Sequence, residues 1–112
     1  MHPLELVAKL RTFLPPEAVL YASEDLKPYE CDGLSAYRQI PMIVALPQTE
    51  DEVVRILRIC HMSKTPVVAR GAGTGLSGGA LPHAAGVLLS LAKLKRIFEV
   101  DPIARTARVQ PG

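Results

Sequence analysis

Ten consecutive residues, Arg70-Gly71-Ala72-Gly73-Thr74-Gly75-Leu76-Ser77-Gly78-Gly79, constrain this chain more than any other stretch. They hold five of its eight glycines. The run before them, Thr65-Pro66-Val67-Val68-Ala69, is apolar and β-branched and reads as a buried strand leading into a loop. Glycine reaches positive φ and carries no Cβ, so such a loop can turn several backbone N–H groups toward one point. Consecutive amides arranged in this way form a concave nest that suits an anion. Thr74 and Ser77 add hydroxyl donors and Arg70 adds a fixed positive charge. Phosphate or pyrophosphate is the natural guest. The plainer alternative is a tight strand connection or a flexible surface loop, which one or two glycines would favour and five glycines interleaved with Thr and Ser do not.

Two well-known phosphate loops fit poorly. A Walker A loop ends in Gly-Lys-Ser/Thr, and no lysine lies between Lys64 and Lys93. Gly73-x-Gly75-x-x-Gly78 matches the dinucleotide fingerprint in form only. That fingerprint opens a helix, whereas Gly78-Gly79-Ala80-Leu81-Pro82 is a poor first turn. It also needs an acid at the tip of the next strand, and Ser90-Leu91-Ala92-Lys93 supplies none.

The stretch from Pro66 to Gly79 resembles the pyrophosphate loop of the vanillyl-alcohol-oxidase-type (PCMH-type) FAD-binding domain. Within that superfamily the likeness is to the D-lactate dehydrogenase-like branch and the FAD-linked catalytic subunits of bacterial glycolate oxidases. Tyr29-Glu30-Cys31-Asp32-Gly33-Leu34-Ser35-Ala36-Tyr37-Arg38 is similar to the same subunits, and the resemblance runs from about Tyr29 to Gly112. It implies a fold of mixed α/β (α+β) class: the N-terminal half of a PCMH-type domain, with a small parallel βαβ sheet followed by an antiparallel hairpin. Residues 1–38 are then a helix and an irregular lead-in, and residues 39–112 the first part of the FAD domain.

Composition narrows the alternatives. A chain of 112 residues with 48% hydrophobic and 21% charged residues has room for one small globular domain. A net charge of +2, no basic run and only five aromatic residues, none of them Trp, argue against a nucleic-acid surface. Cys31 and Cys60 stand apart from each other and from any His cluster, and read as reduced thiols of a cytoplasmic protein. Met1 to Glu5 has no basic region leading into an apolar one, and no segment approaches the ~20 apolar residues of a membrane span. A last strand, Arg105 to Gln110, runs into Pro111-Gly112, which reads as a fragment of a longer protein.

Along the chain, Pro3 to Leu14 reads as a helix with Leu6, Leu10, Phe13 and Leu14 on one stripe, closed by Pro15-Pro16. A brief strand is expected at Ala18 to Tyr21, and a central buried strand within Ile40 to Pro47. Thr49 and Glu52 form a capping box for a helix whose buried face is Val53, Ile56, Leu57 and Cys60. His61 is expected to face solvent at the negative end of this helix. Gly86 to Leu91 is a third apolar strand, and Ile97 to Asp101 pairs with Arg105 to Gln110 around Pro102-Ile103-Ala104. Lys93 to Ile97 is a solvated basic turn.

The resemblance implies a flavin enzyme that takes a hydride from the α-carbon of a small 2-hydroxy acid such as glycolate onto the flavin N5. It assigns cofactor contacts to Arg70, Gly71, Ala72, Gly73, Thr74, Gly75, Ser77, Gly78, Gly79 and Ala80. Some relatives attach FAD through a histidine in this loop. None is present here, so non-covalent FAD is expected; His83, just after Pro82, reads as a surface turn. No catalytic base, substrate arginine or metal ligand is identified, and the substrate-binding side chains are expected beyond Gly112, leaving these 112 residues inactive alone. By the same resemblance the partners are a second flavoprotein-like subunit and an iron–sulfur subunit, with peripheral membrane attachment through them as an alternative to a free cytoplasmic location. Two other readings stand beside this one: another enzyme of the superfamily, such as a D-lactate dehydrogenase, or a non-catalytic remnant that no longer binds flavin.

Overall fold

The computed structural model describes residues 2–31, 33 and 37–112. Asp32, Leu34, Ser35 and Ala36, which belong to the stretch from Tyr29 to Arg38 quoted above, lie outside the described residues.

The chain opens with helix α1, Pro3–Leu10, whose first turn is capped by His2: its Nδ1 accepts from the Leu4 amide at 3.1 Å. The helix is shorter than the apolar stripe suggests. The Thr12 hydroxyl donates to the Lys9 carbonyl at 2.6 Å, and Pro15 disfavours helical geometry at Leu14, so the chain turns off after Leu10. Leu14 is nevertheless buried with Leu6 and Leu10. After a 3-10 turn come β1, Val19–Leu20, the short helix α2, Ser23–Leu26, and a second 3-10 turn, Lys27–Tyr29.

Strand β2, Ile43–Ala45, is buried at all three positions and is shorter than the proline-bracketed run around it. Helix α3, Glu50–Met62, follows with its expected cap: the Thr49 hydroxyl accepts from the Glu52 amide at 3.1 Å. The carboxylate of Glu52 turns back one residue further than a simple capping box and accepts from the Gln48 amide at 2.6 Å. At the other end the Thr65 amide donates to Cys60 and the Lys64 amide to His61, a Schellman motif with Lys64 at φ 54° in the position glycine usually takes. The buried face is narrower than expected. Ile56 and Cys60 are buried, Val53 is half-buried, and Leu57 is exposed. His61 is exposed in the last turn, as the helix dipole argument expects.

Strands β3, Val67–Arg70, and β4, Val87–Ser90, complete a four-stranded sheet of order β1-β2-β4-β3. β2, β4 and β3 are parallel, in register through Ile43, Val87 and Val67, while β1 is antiparallel to β2. The sheet is therefore mixed rather than purely parallel. The strand that continues from α3 does not pair with β2, because β4 lies between them. β4 is buried at every position. β3 is at the sheet edge, and its expected burial is not realised: Val67 and Val68 are half-buried and Ala69 is exposed. One core joins α1, β1, β2, α3 and β4, with Leu6, Leu10, Ile43, Val44, Ile56 and Leu88 among its fully enclosed side chains.

The hairpin of β5, Ile97–Asp101, and β6, Thr106–Val109, stands apart from this sheet. The Asp101 carboxylate accepts from the Ile103 and Ala104 amides, both at 3.1 Å, which builds the expected turn. Phe98 lies under the guanidinium groups of Arg96 and Arg108, and Ile97, Val100 and Val109 are exposed.

Candidate functional site

The glycine loop begins where β3 ends. Its entry is pinned by the register of Arg70 opposite Ser90 and by the Leu91 amide donating to the Arg70 carbonyl at 2.8 Å. The loop thus leaves from the C-terminal edge of three parallel strands, the edge at which open α/β sheets hold their ligands.

Two glycines are dictated by the chain itself: Gly73 and Gly78 have φ of 74° and 76°, a region side chains rarely enter. Gly75 and Gly79 are different. Neither has a positive φ, and a Cβ built on either meets nothing within 4 Å among the described residues. The described residues give no reason for glycine at these two positions. A guest brought into van der Waals contact with the backbone would.

The donors agree. Among the described residues, no amide from Gly71 to Ala80 donates to another backbone carbonyl or to a side chain. Thr74 and Ser77 are exposed, and their hydroxyls are likewise unengaged among the described residues. Backbone N–H groups are strong donors that proteins normally satisfy, and amides without an acceptor among the described residues are chemically suited to an anion. Ala72 is exposed, and Ala80, half-buried, closes the loop.

Arg70 sits differently from a charge reaching for an anion. It is buried, 7% exposed, and its Nη2 lies 3.2 Å from the Tyr29 carbonyl, 2.8 Å from that of Cys31 and 2.9 Å from that of Ala80. Its guanidinium also lies 5.9 Å from the Tyr29 ring centre. A second contact joins the same regions: a Cβ on Gly33 would come within 2.6 Å of the Thr74 carbonyl oxygen and 2.7 Å of that of Gly75. Tyr29, Cys31 and Gly33 therefore form a wall of the loop, a role that sequence reasoning did not give them. The available signal was one glycine in a polar stretch 42 residues before the loop's own third glycine, and no periodicity links positions so far apart in the chain.

His83 is exposed, and its Nδ1 accepts from the Ala85 amide at 3.0 Å, as suits a surface turn. Both cysteines are free thiols. Cys31 is half-buried, while Cys60 is buried and its pKa is pushed up from 9.0 to about 11 by desolvation. Among the described residues there is no cluster of His, Cys, Asp and Glu able to hold a metal ion. No helix among them is long and apolar enough to cross a membrane. An apolar cavity of about 510 Å3 lies between the start of α3, the ends of β3 and β4, and the hairpin. No loop residue lines it. With Val53, Leu89, Leu91, Leu94 and Phe98 in its walls it suits apolar cover, not a charged guest, and the loop is the better candidate site.

A family model described as "FAD binding domain" matches residues 41–112. The glycolate oxidase subunit GlcD of Escherichia coli is 54% identical over 103 residues, covering 92% of this chain and 21% of that protein. The GlcD subunit of Bacillus subtilis is 40% identical over 84 residues, 75% of this chain and 18% of its own length. The chain thus spans about a fifth of these relatives. In structure, 4-ethylphenol oxidase from Gulosibacter chungangensis superposes with a TM-score of 0.84 over 97% of this chain and 22% of its own, at 24% identity, a likeness of fold.

Proposed function

This chain belongs to the FAD-binding domain family, and from that premise we propose that it is the pyrophosphate-holding, N-terminal part of a flavin-dependent oxidoreductase acting on a small 2-hydroxy acid such as glycolate. One observation carries the reading most directly: the loop from Gly71 to Ala80 keeps its amides unspent among the described residues, and Gly75 and Gly79 leave open space where side chains would otherwise stand. Those amides bind the FAD pyrophosphate, with the Thr74 and Ser77 hydroxyls beside them. Arg70 serves the site by fixing the loop's ends.

Residues 39–112 form the first part of the FAD domain, and residues 1–38 the lead-in. Bound FAD supplies the redox chemistry. This chain contributes the grip on the pyrophosphate and the rigid sheet that positions it. The loop has no histidine, and His83 is turned into a surface bend, which supports a non-covalent cofactor. The substrate side chains belong to later parts of the complete polypeptide, which also cover the exposed hairpin, a unit that is marginal as an isolated pair of strands. A second flavoprotein-like subunit and an iron–sulfur subunit are the proposed partners in a cytoplasmic assembly, in keeping with the "subunit" in the relatives' names.

The test is the visible absorbance of the complete polypeptide before and after acid precipitation. A flavin spectrum released into the supernatant, with turnover of a 2-hydroxy acid, is the expected result. Colour retained in the pellet would refute the non-covalent link, and a protein that cannot be loaded with FAD would refute the function.

A further inference from the structure

We propose that Tyr29, Cys31 and Gly33 are a structural wall of the anion site, latched by Arg70, and that Arg70 is a positioning residue rather than a ligand of the phosphates. The inference rests on the reading of the loop as a pyrophosphate cradle and adds how that cradle acquires its shape.

The geometry has two parts. Arg70 closes three chain segments on one guanidinium group. Through Nη2 it holds the carbonyls of Tyr29 and Cys31 from the lead-in and of Ala80 from the far end of the loop. Since Arg70 is itself the last residue of β3, the loop's start and finish are tied to one side chain. Hydrogen bonds from a charged donor are the stronger kind, and their burial here raises the cost of breaking them.

The second part is the seat of Gly33. The Thr74 and Gly75 carbonyls lie so close to Gly33 that no Cβ fits between them. No peptide bond among the described residues is cis, and in a trans peptide the C=O and N–H point in opposite directions. Turning these two carbonyls toward Gly33 turns the following amides, those of Gly75 and Leu76, away from it. Among the described residues nothing lies within 4 Å of the side of Gly75 on which a Cβ would stand. The wall thereby selects which face of the loop presents donors.

This arrangement predicts opposite behaviour from a direct contact. A lysine at position 70 keeps the charge, but its side chain ends one bond short of the Nη2 position from which all three carbonyls are held. If the charge acted on the phosphates, lysine would preserve much of the binding. If the latch matters, lysine fails almost as badly as methionine.

The experiment uses the complete polypeptide with Arg70→Lys, Arg70→Met and Gly33→Ala. In the flavin-free protein, thiol alkylation mapped by mass spectrometry reads Cys31, which sits in the wall. Cys60 is the internal reference, because a buried thiol held protonated stays inert while the fold persists. In each variant Cys31 is expected to label about tenfold faster with Cys60 still inert, as for a local opening. FAD affinity is expected to fall by about tenfold or more. The phosphorus-31 resonances of FAD bound at saturation should also move, which a loss of general stability alone would not cause.

Unchanged Cys31 labelling in Arg70→Lys together with lost FAD affinity would overturn the proposal and make Arg70 a ligand. Faster labelling with unaltered affinity and phosphorus resonances would overturn it too, leaving the wall as scaffold only. If the Arg70 variants unfold, as Cys60 labelling would reveal, Gly33→Ala decides by the same readings. A wild-type protein that takes no FAD refutes the parent reading and the anion-site half of this one, while the labelling still decides the latch.

Discussion

The interior strands and the glycine loop are built on opposite principles. In β2 and β4 every residue is buried and every register position has a partner, so these strands fulfil their chemistry within the chain. The loop that leaves β3 does the reverse. Among the described residues its amides have no acceptor, and two of its glycines answer to no neighbour and no backbone strain. A segment whose polar groups and residue choices are explained by the folded chain is there for stability. One whose choices are left unexplained is shaped for something outside the chain.

Substitutions can break or sharpen that contrast, and the interior should respond most in stability. Leu88 is 1% exposed in the middle of the sheet. Leu88→Ala removes its contacts and leaves a cavity, so the urea midpoint should drop by the equivalent of about 3 kcal/mol. A loss under ~1 kcal/mol would mean that the interior is looser than its burial implies. The hairpin tip is the control. Ile103 is 96% exposed, and Ile103→Ala should leave the midpoint within ~0.5 kcal/mol of wild type.

Next in size is a pH effect on the same interior. Burial raises the Cys60 thiol from 9.0 to about 11, so the folded chain holds its proton when the unfolded chain has released it. The stabilisation is complete below pH 9 and declines as pH rises from there toward 11. By linkage this single group lowers stability by about 1 kcal/mol between pH 8 and pH 10. Other groups titrate in that range, so the measurement is the difference between wild type and Cys60→Ala at each pH. A difference that does not change with pH would show that the thiol is hydrated in the folded state.

The helix cap is smaller again. Thr49→Ala deletes the acceptor for the Glu52 amide and should cost about 1 kcal/mol, read from the denaturation midpoint. This cap was fully legible in the sequence, because Thr49 and Glu52 interact across three residues and the rule is local. Strand β4 and the hairpin turn were legible for the same reason: an unbroken apolar run, and an Asp-Pro turn between two strand-like segments. The sheet order was not. The pattern of β3 is as apolar as that of β4, and only the insertion of β4 beside β2 makes one central and the other an edge. The candidate site divides in the same way. The loop announced itself through its glycines, whereas the wall made by Tyr29, Cys31 and Gly33 depends on contacts across about forty residues. Arg70 was legible as a cation near an anion site, but its burial among carbonyls follows from packing alone.

Gly75→Ala gives the smallest expected change in stability and the sharpest test of the contrast. The added methyl meets no atom within 4 Å among the described residues, and the backbone there is not in the left-handed region. The substitution also restricts the unfolded chain, so the midpoint should stay the same or rise by up to ~0.5 kcal/mol. Gly73→Val would be a poorer probe, because φ at Gly73 is 74° and its Cβ would sit 3.3 Å from Arg70 Cδ, mixing strain with any loss of binding. At position 75 the two effects separate. If the loop is a pyrophosphate cradle, the methyl occupies space that the guest needs, and FAD content on purification should fall severalfold while the fold is untouched. Equal flavin content in Gly75→Ala and wild type would show that the open side of Gly75 is only solvent, and the contrast between a self-satisfied sheet and a ligand-shaped loop would fail at its centre.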